Sequence, residues 1–473
     1  MRRVTAYIVM VLAMALGSRV APAQQMNALA GLENASWEGI HLYGVNAFTS
    51  YVSSVYPINT TLTVAPGATQ LGHDVNYGVS ASGGWQYHRG DKLGVTVSYT
   101  GSYNRSQNYK SLSSFGHALR ASAFWELTPK LTLDLSANGI YQTLAEYIFQ
   151  PSSLSVTAQS PATINNVAAS MGVGQFSNAQ AASALTGGTA ANVLPQTSLA
   201  TSLLLGDRIL SYATQASLSY QATERLSFNF SGVNAAGQNR TAGTSGISPQ
   251  TYPVPHTLGL TAGGSVGYEI SSRTSIGFNI SGGRNSNVYQ SGYTTVAAGT
   301  FGRMMGTRWF LHASGGAAYS AIIQQQQGAP KNLQVTTSGS LGYGLAAQTF
   351  LGSYNRSSMD ANGFAIGTNT NLGGAWSWHR PDRRWNMGVS FGQQQLRNTG
   401  FASLSGWNAS VMWYTHLTNG VRLTTQYAYS NSTGDYLGIT TKITVNSVRL
   451  TVSWIPSALQ AAAAATATAM RQP

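Results

Sequence analysis

Apolar and polar residues alternate with a period of two through most of this chain. The stretch Asn76 to Arg105 shows the rule most clearly. Tyr77, Val79, Ala81, Trp85 and Tyr87 occupy odd positions, and Asn76, Ser80, Ser82 and Gln86 occupy even ones. Arg89-Gly90-Asp91 reverses the chain. Leu93, Val95, Val97, Tyr99 and Tyr103 then keep the odd, apolar side, while Thr96, Ser98, Thr100, Ser102 and Asn104 keep the polar side. Successive side chains of a strand point to opposite faces, so this period predicts a hairpin. A three-residue turn pairing 87 with 93 puts both apolar sets on one face. Each arm runs about a dozen residues, enough for a tilted membrane crossing.

The rhythm recurs along the chain. It predicts strands at Ile40–Tyr51, two in the stretch above, then Phe115–Leu127, Leu131–Gln142, Arg208–Ala222, Leu226–Asn234, His256–Ile270 and Thr274–Arg284. Further strands fall near Tyr293–Met304, Arg308–Ser320, Leu333–Leu345, Thr349–Ser357, Phe364–Trp378, Trp385–Gln394, Ser403–Thr415, Val421–Ser430 and Lys442–Trp454. The expected fold is all-β: a transmembrane antiparallel up-and-down β-barrel of about 18 strands, or 16 if one weak pair falls away. Short periplasmic turns and long extracellular loops should join them. The apolar face meets lipid and the small, uncharged face meets the lumen.

Aromatic placement sharpens this picture. Trp85, Trp125, Trp309, Trp376, Trp378, Trp385, Trp413 and Trp454 fall at strand ends beside short turns. Tyr99, Tyr103, Tyr141, Tyr289, Tyr293, Tyr427 and Tyr429 gather at the opposite ends. Two aromatic rows flanking an aliphatic band suit a bilayer, whose headgroup level these rings prefer. The Trp row then marks the periplasmic side.

Composition agrees. The 473 residues carry 8% charge, 52 Gly and no Cys; soluble domains carry about 25% charge. No run of about 20 apolar residues follows the N-terminus, which disfavours helical spans. The formal charge of +13 is spread singly over turns and loops, so beside outer-membrane lipid the expected anionic neighbours are lipopolysaccharide phosphates and not nucleic acid.

The ends and one interior segment depart from the rhythm. Residues 1–23 read as a signal peptide: Arg2-Arg3, an apolar Ala6–Leu16, and Ala21-Pro22-Ala23, with cleavage between Ala23 and Gln24. Residues 24–39 form a short periplasmic lead, 40–455 the barrel, and 456–473 an Ala-rich, low-complexity periplasmic tail. Thr143–Gly206 is too long for an ordinary loop and contains two helix-like pieces, near Asn178 and Ser198. It either folds into the lumen as a constriction or plug, or caps the outer mouth.

Few residues invite a chemical role. The lumen-facing charges are Arg120, Glu126, Asp134, Glu269, Arg422 and Arg449, together with His312. Positive and negative balance, without an opposed basic and acidic ladder, so an open lumen should be weakly selective. Local hydrogen-bonded pairing that stiffens the wall is the competing role. Gly263–Gly267 and Gly388–Gly392 both match G-x-S-x-G, but uninterrupted alternation around them leaves no place for a nucleophile elbow. No catalytic group, metal-ligand spacing or cofactor motif emerges. Gly101–Ser106 and Gly352–Ser357 are identical, GSYNRS, each where a strand enters an outer loop.

Signal peptide, hairpin rhythm, aromatic rows and the terminal strand RLTVSWI together resemble Gram-negative outer-membrane β-barrels of the porin-like kind, over about residues 40–455. The resemblance is architectural and fixes no subfamily. It implies passage through the barrel-assembly machinery, whose recognition signal would here be followed by a tail. It also implies passive diffusion of small polar solutes and no enzymatic activity, with homo-oligomers left open. A barrel serving envelope export, such as exopolysaccharide secretion, and a plugged structural or adhesive surface barrel are the alternatives.

Overall fold

The computed structural model describes residues 39–55, 73–89, 92–107, 114–143, 208–239, 257–286, 291–306, 308–324, 332–345, 348–360, 366–378, 385–398, 402–418, 420–436 and 439–454. The signal peptide, the 143–206 loop beyond Thr143 and the tail lie outside them.

Eighteen strands follow the alternation. They are β1 (Gly39–Val55), β2 (His73–Arg89), β3 (Leu93–Ser106), β4 (Ser114–Thr128), β5 (Leu131–Thr143), β6 (Arg208–Gln221), β7 (Leu226–Asn239), β8 (Thr257–Ser271) and β9 (Thr274–Ser286). The second half comprises β10 (Ser291–Met305), β11 (Trp309–Gln324), β12 (Asn332–Gly344), β13 (Gln348–Asp360), β14 (Ile366–Trp378), β15 (Trp385–Asn398), β16 (Ala402–Thr418), β17 (Val421–Tyr436) and β18 (Ile439–Trp454). Every strand pairs antiparallel with its sequence neighbours, and β1 pairs with β18, so the sheet closes. Closure leaves no edge strand whose polar backbone would need a partner. None of the 14 Pro lies in a described strand, as an unbroken ladder demands.

The two faces are sorted as the period requires. Exposed large apolar side chains such as Leu260, Phe278, Ile280, Leu333 and Val335 cover the outside. Buried Ser, Thr and Asn side chains cover the inside, Ser275, Asn279, Ser390 and Asn408 among them. Inner hydroxyls and amides bond across strands, as in Asn229 Nδ2 to Ser219 Oγ (2.9 Å) and Ser390 with Ser410 (2.9 Å). The two G-x-S-x-G matches sit inside β8 and β15, with Ser265 and Ser390 on this inner face. No strand-to-helix turn exists there to expose either hydroxyl.

The structure corrects one reading and adds two details. In the first hairpin Arg89 pairs with Leu93, and Tyr87 with Val95, not with 93. The shift is two residues, so each side chain keeps its face. In β1 a bulge between Leu42 and Gly44 reverses the phase. Ile40 and Leu42 point outward, but beyond the bulge Val45 and Tyr51 do, and Tyr43 and Phe48 turn inward. At the rim opposite the short turns the connections vary in length. Residues 399–401 and 437–438 are all that separate β15 from β16 and β17 from β18.

The inward rings of β1 need space, and glycines on β2 supply it. A Cβ at Gly78 would run into the Tyr103 carbonyl oxygen and lie 2.9 Å from the Phe48 ring, and one at Gly84 would run into the Val97 carbonyl oxygen and lie 2.7 Å from the Tyr43 hydroxyl. Gly78→Val is therefore expected to cost about 1–3 kcal/mol. Urea titration of the barrel refolded into vesicles measures it; a neutral result would mean that the β2–β3 backbone yields to admit the side chain.

Candidate functional site

The inner wall is the one extended polar surface that the closed sheet creates. Its charged members come from strand positions that alternation directs inward. Arg120 lies opposite Ser98 and Asn138, and Glu126 opposite Thr132. Asp134 faces Phe124 on one side and Ser217 on the other. Glu269 pairs with Ser275, His312 with Gly302 and Ser340, Arg422 with His416 and Ser453, and Arg449 with Ser50 and Gln426.

Strand order turns this set into an arrangement. Glu126, Asp134, Glu269, His312, Arg422 and Arg449 all lie within six residues of the short-turn ends of their strands. Arg120 alone stands deeper, eight residues from the end of β4. The acids occupy β4, β5 and β8, whereas Arg422 and Arg449 occupy β17 and β18. In an 18-strand ring β17 is nine strands from β8, so Arg422 and Glu269 are diametrically placed, each one or two residues from the rim. The opposition is confined to this pair at the mouth, since Arg120 stands on the same wall as Glu126 and Asp134.

The cations are held against the wall by aromatic rings. The Arg449 guanidinium lies 4.3 Å from the centre of the Phe48 ring, and that of Arg422 5.3 Å from Tyr414. Both distances suit cation–π attraction. Phe48 reaches this position only through the β1 bulge. His312 is 1% exposed, above the equally buried Phe310, and its two ring nitrogens have no hydrogen-bond partner among the described residues. Asp74, buried on the inner face of β2, was hidden from sequence reasoning because it reads as the end of a long loop. Among the described residues no cluster of three His, Asp or Glu converges as a metal site would.

The outer face carries two aromatic rows. Trp85, Trp125, Trp309, Trp376, Trp378, Trp385, Trp413 and Trp454 all lie at short-turn strand ends. They pack against neighbours: Trp85 stacks with Tyr87, and Trp309 meets Tyr343 (4.2 Å) and Trp378 meets Trp385 (4.4 Å) with tilted rings. Toward the other rim the Tyr99 hydroxyl meets His117 Nδ1 at 2.7 Å, and Tyr103 lies 4.6 Å from Phe115. His117 is exposed on the outside, away from the lumen. In both GSYNRS copies the Tyr and Arg point outward near that rim.

No family model matches the chain, and no curated protein does. Solved structures similar to it include three proteins of Pseudomonas aeruginosa. OccK2 (OpdF) is 10% identical, with a TM-score of 0.45, over 88% of this chain and 97% of that one. OccK11 (OpdR) is 11% identical, with a TM-score of 0.41, over 88% and 97%. OpdK, solved with vanillate, is 10% identical, with a TM-score of 0.43, over 87% and 98%. The closed barrel rests on this chain's own strand pairing.

Proposed function

We propose that this protein is an outer-membrane channel of a Gram-negative bacterium that admits small polar solutes by passive diffusion. The carrying observation is the inversion of the two faces: apolar side chains are exposed outside a closed sheet and polar ones are buried within. In water that arrangement would leave the apolar outside unsatisfied; in a bilayer it is the stable one. Strands of 13–17 residues span about 43–56 Å, so even at a tilt near 45° they cross a hydrocarbon core of about 30 Å. The two aromatic rows fit the two interfaces. An 18-strand closure is wide enough to hold water. Short turns then face the periplasm, and the signal peptide supplies export.

Opposed Arg422 and Glu269 set a field across the short-turn mouth that orients a polar solute without imposing one sign. Planar-bilayer conductance of the refolded protein tests this. Steady conductance with a cation-to-anion permeability ratio near unity is the expected result. Arg422→Glu should move that ratio toward cations and Glu269→Gln toward anions, since both charges line one mouth. Absence of conductance from the intact chain, with openings appearing once Ser153–Leu203 is deleted, would favour the plugged or export-associated barrel instead.

A further inference from the structure

The two GSYNRS copies bring no charge to the lumen, because both of their arginines stand on the outward register near the long-loop rim. Arg105 pairs with the outward Tyr77, and Arg356 with Thr337 and Thr370 on the outward lines of β12 and β14. Arg284 on β9 stands likewise, paired with the outward Leu260 and Tyr293. All three arginines are exposed. Register also places Arg208, Arg397 and Lys442 in line with the outward residues of β6, β15 and β18. Among the described residues, these six are the Lys and Arg within five residues of a long-loop strand end. None is on an inward line, where the charge at this rim is Asp74.

A strand offers two faces, and the backbone ladder favours a cation on neither. The shared choice of the outer face therefore points to what surrounds the barrel. The six cations are distributed round the whole ring, on β3, β6, β9, β13, β15 and β18, two to four strands apart. Even two strands separate neighbours by about 10 Å, more than the Debye length of about 8 Å at physiological salt. Each cation thus meets its own anion. Asp360 and Asp435 are the acids on the same outward line, so the cations outnumber them.

Height and neighbours say what kind of anion fits. Arg105 stands twelve residues from the short-turn end of its strand and Arg284 ten. At about 3.3 Å per residue and a tilt near 40° that is about 25–30 Å across a membrane, the far edge of an apolar band about 25 Å tall. Arg356 starts lower, eight residues from its strand end, and its long stem lets the head snorkel upward. The Arg105 guanidinium lies 6.0 Å from the centre of the Tyr77 ring and that of Arg284 5.9 Å from Tyr293. Tyr354 precedes Arg356 on the same face. Outward tyrosines mark the headgroup level, and their hydroxyls add donors beside each guanidinium. Such a pair suits a phosphate monoester, which carries more than one negative charge at neutral pH and three acceptor oxygens. Glycerophospholipids carry diesters with one charge on the phosphate; the sugar anchor of lipopolysaccharide carries monoesters. We propose that Arg105, Arg284 and Arg356, each beside its tyrosine, seat the phosphates of lipopolysaccharide in the outer leaflet. The proposal rests on the membrane reading above, with the short turns in the periplasm.

Retention of labelled lipid tests it. The refolded chain, immobilised in nonionic detergent, is equilibrated with diphosphoryl lipid A, with its phosphate-free form and with phosphatidylglycerol. The expected binding constant favours diphosphoryl lipid A over the phosphate-free form by about fivefold and falls to near one in 1 M NaCl. Replacing Arg105, Arg284 and Arg356 by Gln should at least halve that preference, with heat-modifiable migration confirming the folded barrel. Replacing Arg208, Arg397 and Lys442 as well should bring it to near one. A preference near one in the parent, or one that survives all six substitutions, overturns the proposal while leaving the membrane reading intact. Phosphatidylglycerol retained as well as diphosphoryl lipid A would overturn the assignment to lipopolysaccharide. A chain that refolds in neither detergent nor bilayer would overturn the membrane reading first. Should the multiple variants not refold, two pairs decide: Arg105→Gln with Arg284→Gln must lower the preference, and Arg105→Lys with Arg284→Lys must keep it.

Discussion

Ile280→Arg is expected to cost about 2–4 kcal/mol of folding stability in phosphatidylcholine vesicles, and Ile276→Arg less than about 1 kcal/mol. Both residues lie on the outer face of β9, at 51% and 43% exposure. Ile280 sits at the middle of the strand, and Ile276 is four residues nearer the short-turn rim. Ile280 pairs with Ala297 and Gly264, so an Arg there meets no steric obstacle. Its cost is then the cost of moving a guanidinium from water into whatever surrounds the barrel. On a water-facing surface, a substitution of this kind stays within about 0.5 kcal/mol at either depth. A large penalty at mid-strand with a small one at the rim is thus a signature of hydrocarbon. Urea titrations of the two variants in the same vesicles, with unchanged slopes, measure the difference. Equal, small penalties at both sites would refute the membrane orientation of the outer face.

Alternation exposed the strands because sheet and solvent together impose a period of two, and it needs nothing from distant sequence. All eighteen strands were legible on that basis, as was the apolar outside of β2 and β3. Strand ends were less so. β17 pairs with β18 out to Tyr436, although its apolar rhythm fades near Ser430. Backbone ladders beyond the bilayer need no apolar side chain, so the sequence carries no mark of them. The bulge in β1 was also silent, since a single extra residue leaves the alternation intact on either side and merely shifts its phase.

Placement around the circumference was the least legible feature. Arg422 and Glu269 are 153 positions apart in the chain. Their opposition follows only from closure and from a strand count of eighteen; sixteen strands would have placed them differently. The same holds for cations at the short-turn rim. Along the sequence Lys92, Lys130, Arg225, Arg273 and Arg308 look like scattered charges, because the loops between hairpins differ widely in length. Hairpin geometry cancels those differences on the short-turn side, and the five line up on one rim. Charge patterns in a barrel are thus written in strand register and not in sequence spacing.

Phe48→Ala is expected to destabilise the barrel by about 3–5 kcal/mol, the range for deleting a buried aromatic side chain. Phe48 is 3% exposed although its strand neighbours at odd positions face outward. Its ring lies between Gly78 on β2, which has no side chain to fill the space left behind, and the Arg449 guanidinium on β18. The variant loses apolar burial, opens a gap and uncovers a cation in one step. A double-mutant cycle with Arg449→Met separates the last contribution, with an expected coupling of about 0.5–2 kcal/mol. The ring also steers function, because it holds Arg449 against the wall on the basic side of the mouth. Without the ring that cation keeps its other contacts but gains room toward the lumen, so Phe48→Ala should shift the permeability ratio toward anions in the fraction that folds. A loss of stability below about 1 kcal/mol would mean that the ring faces outward and that the bulge at Leu42 and Gly44 does not reverse the strand's phase. A full loss of stability with an unchanged ratio would keep the bulge and assign Arg449 to the wall itself, leaving Arg422 as the cation that passing solutes meet.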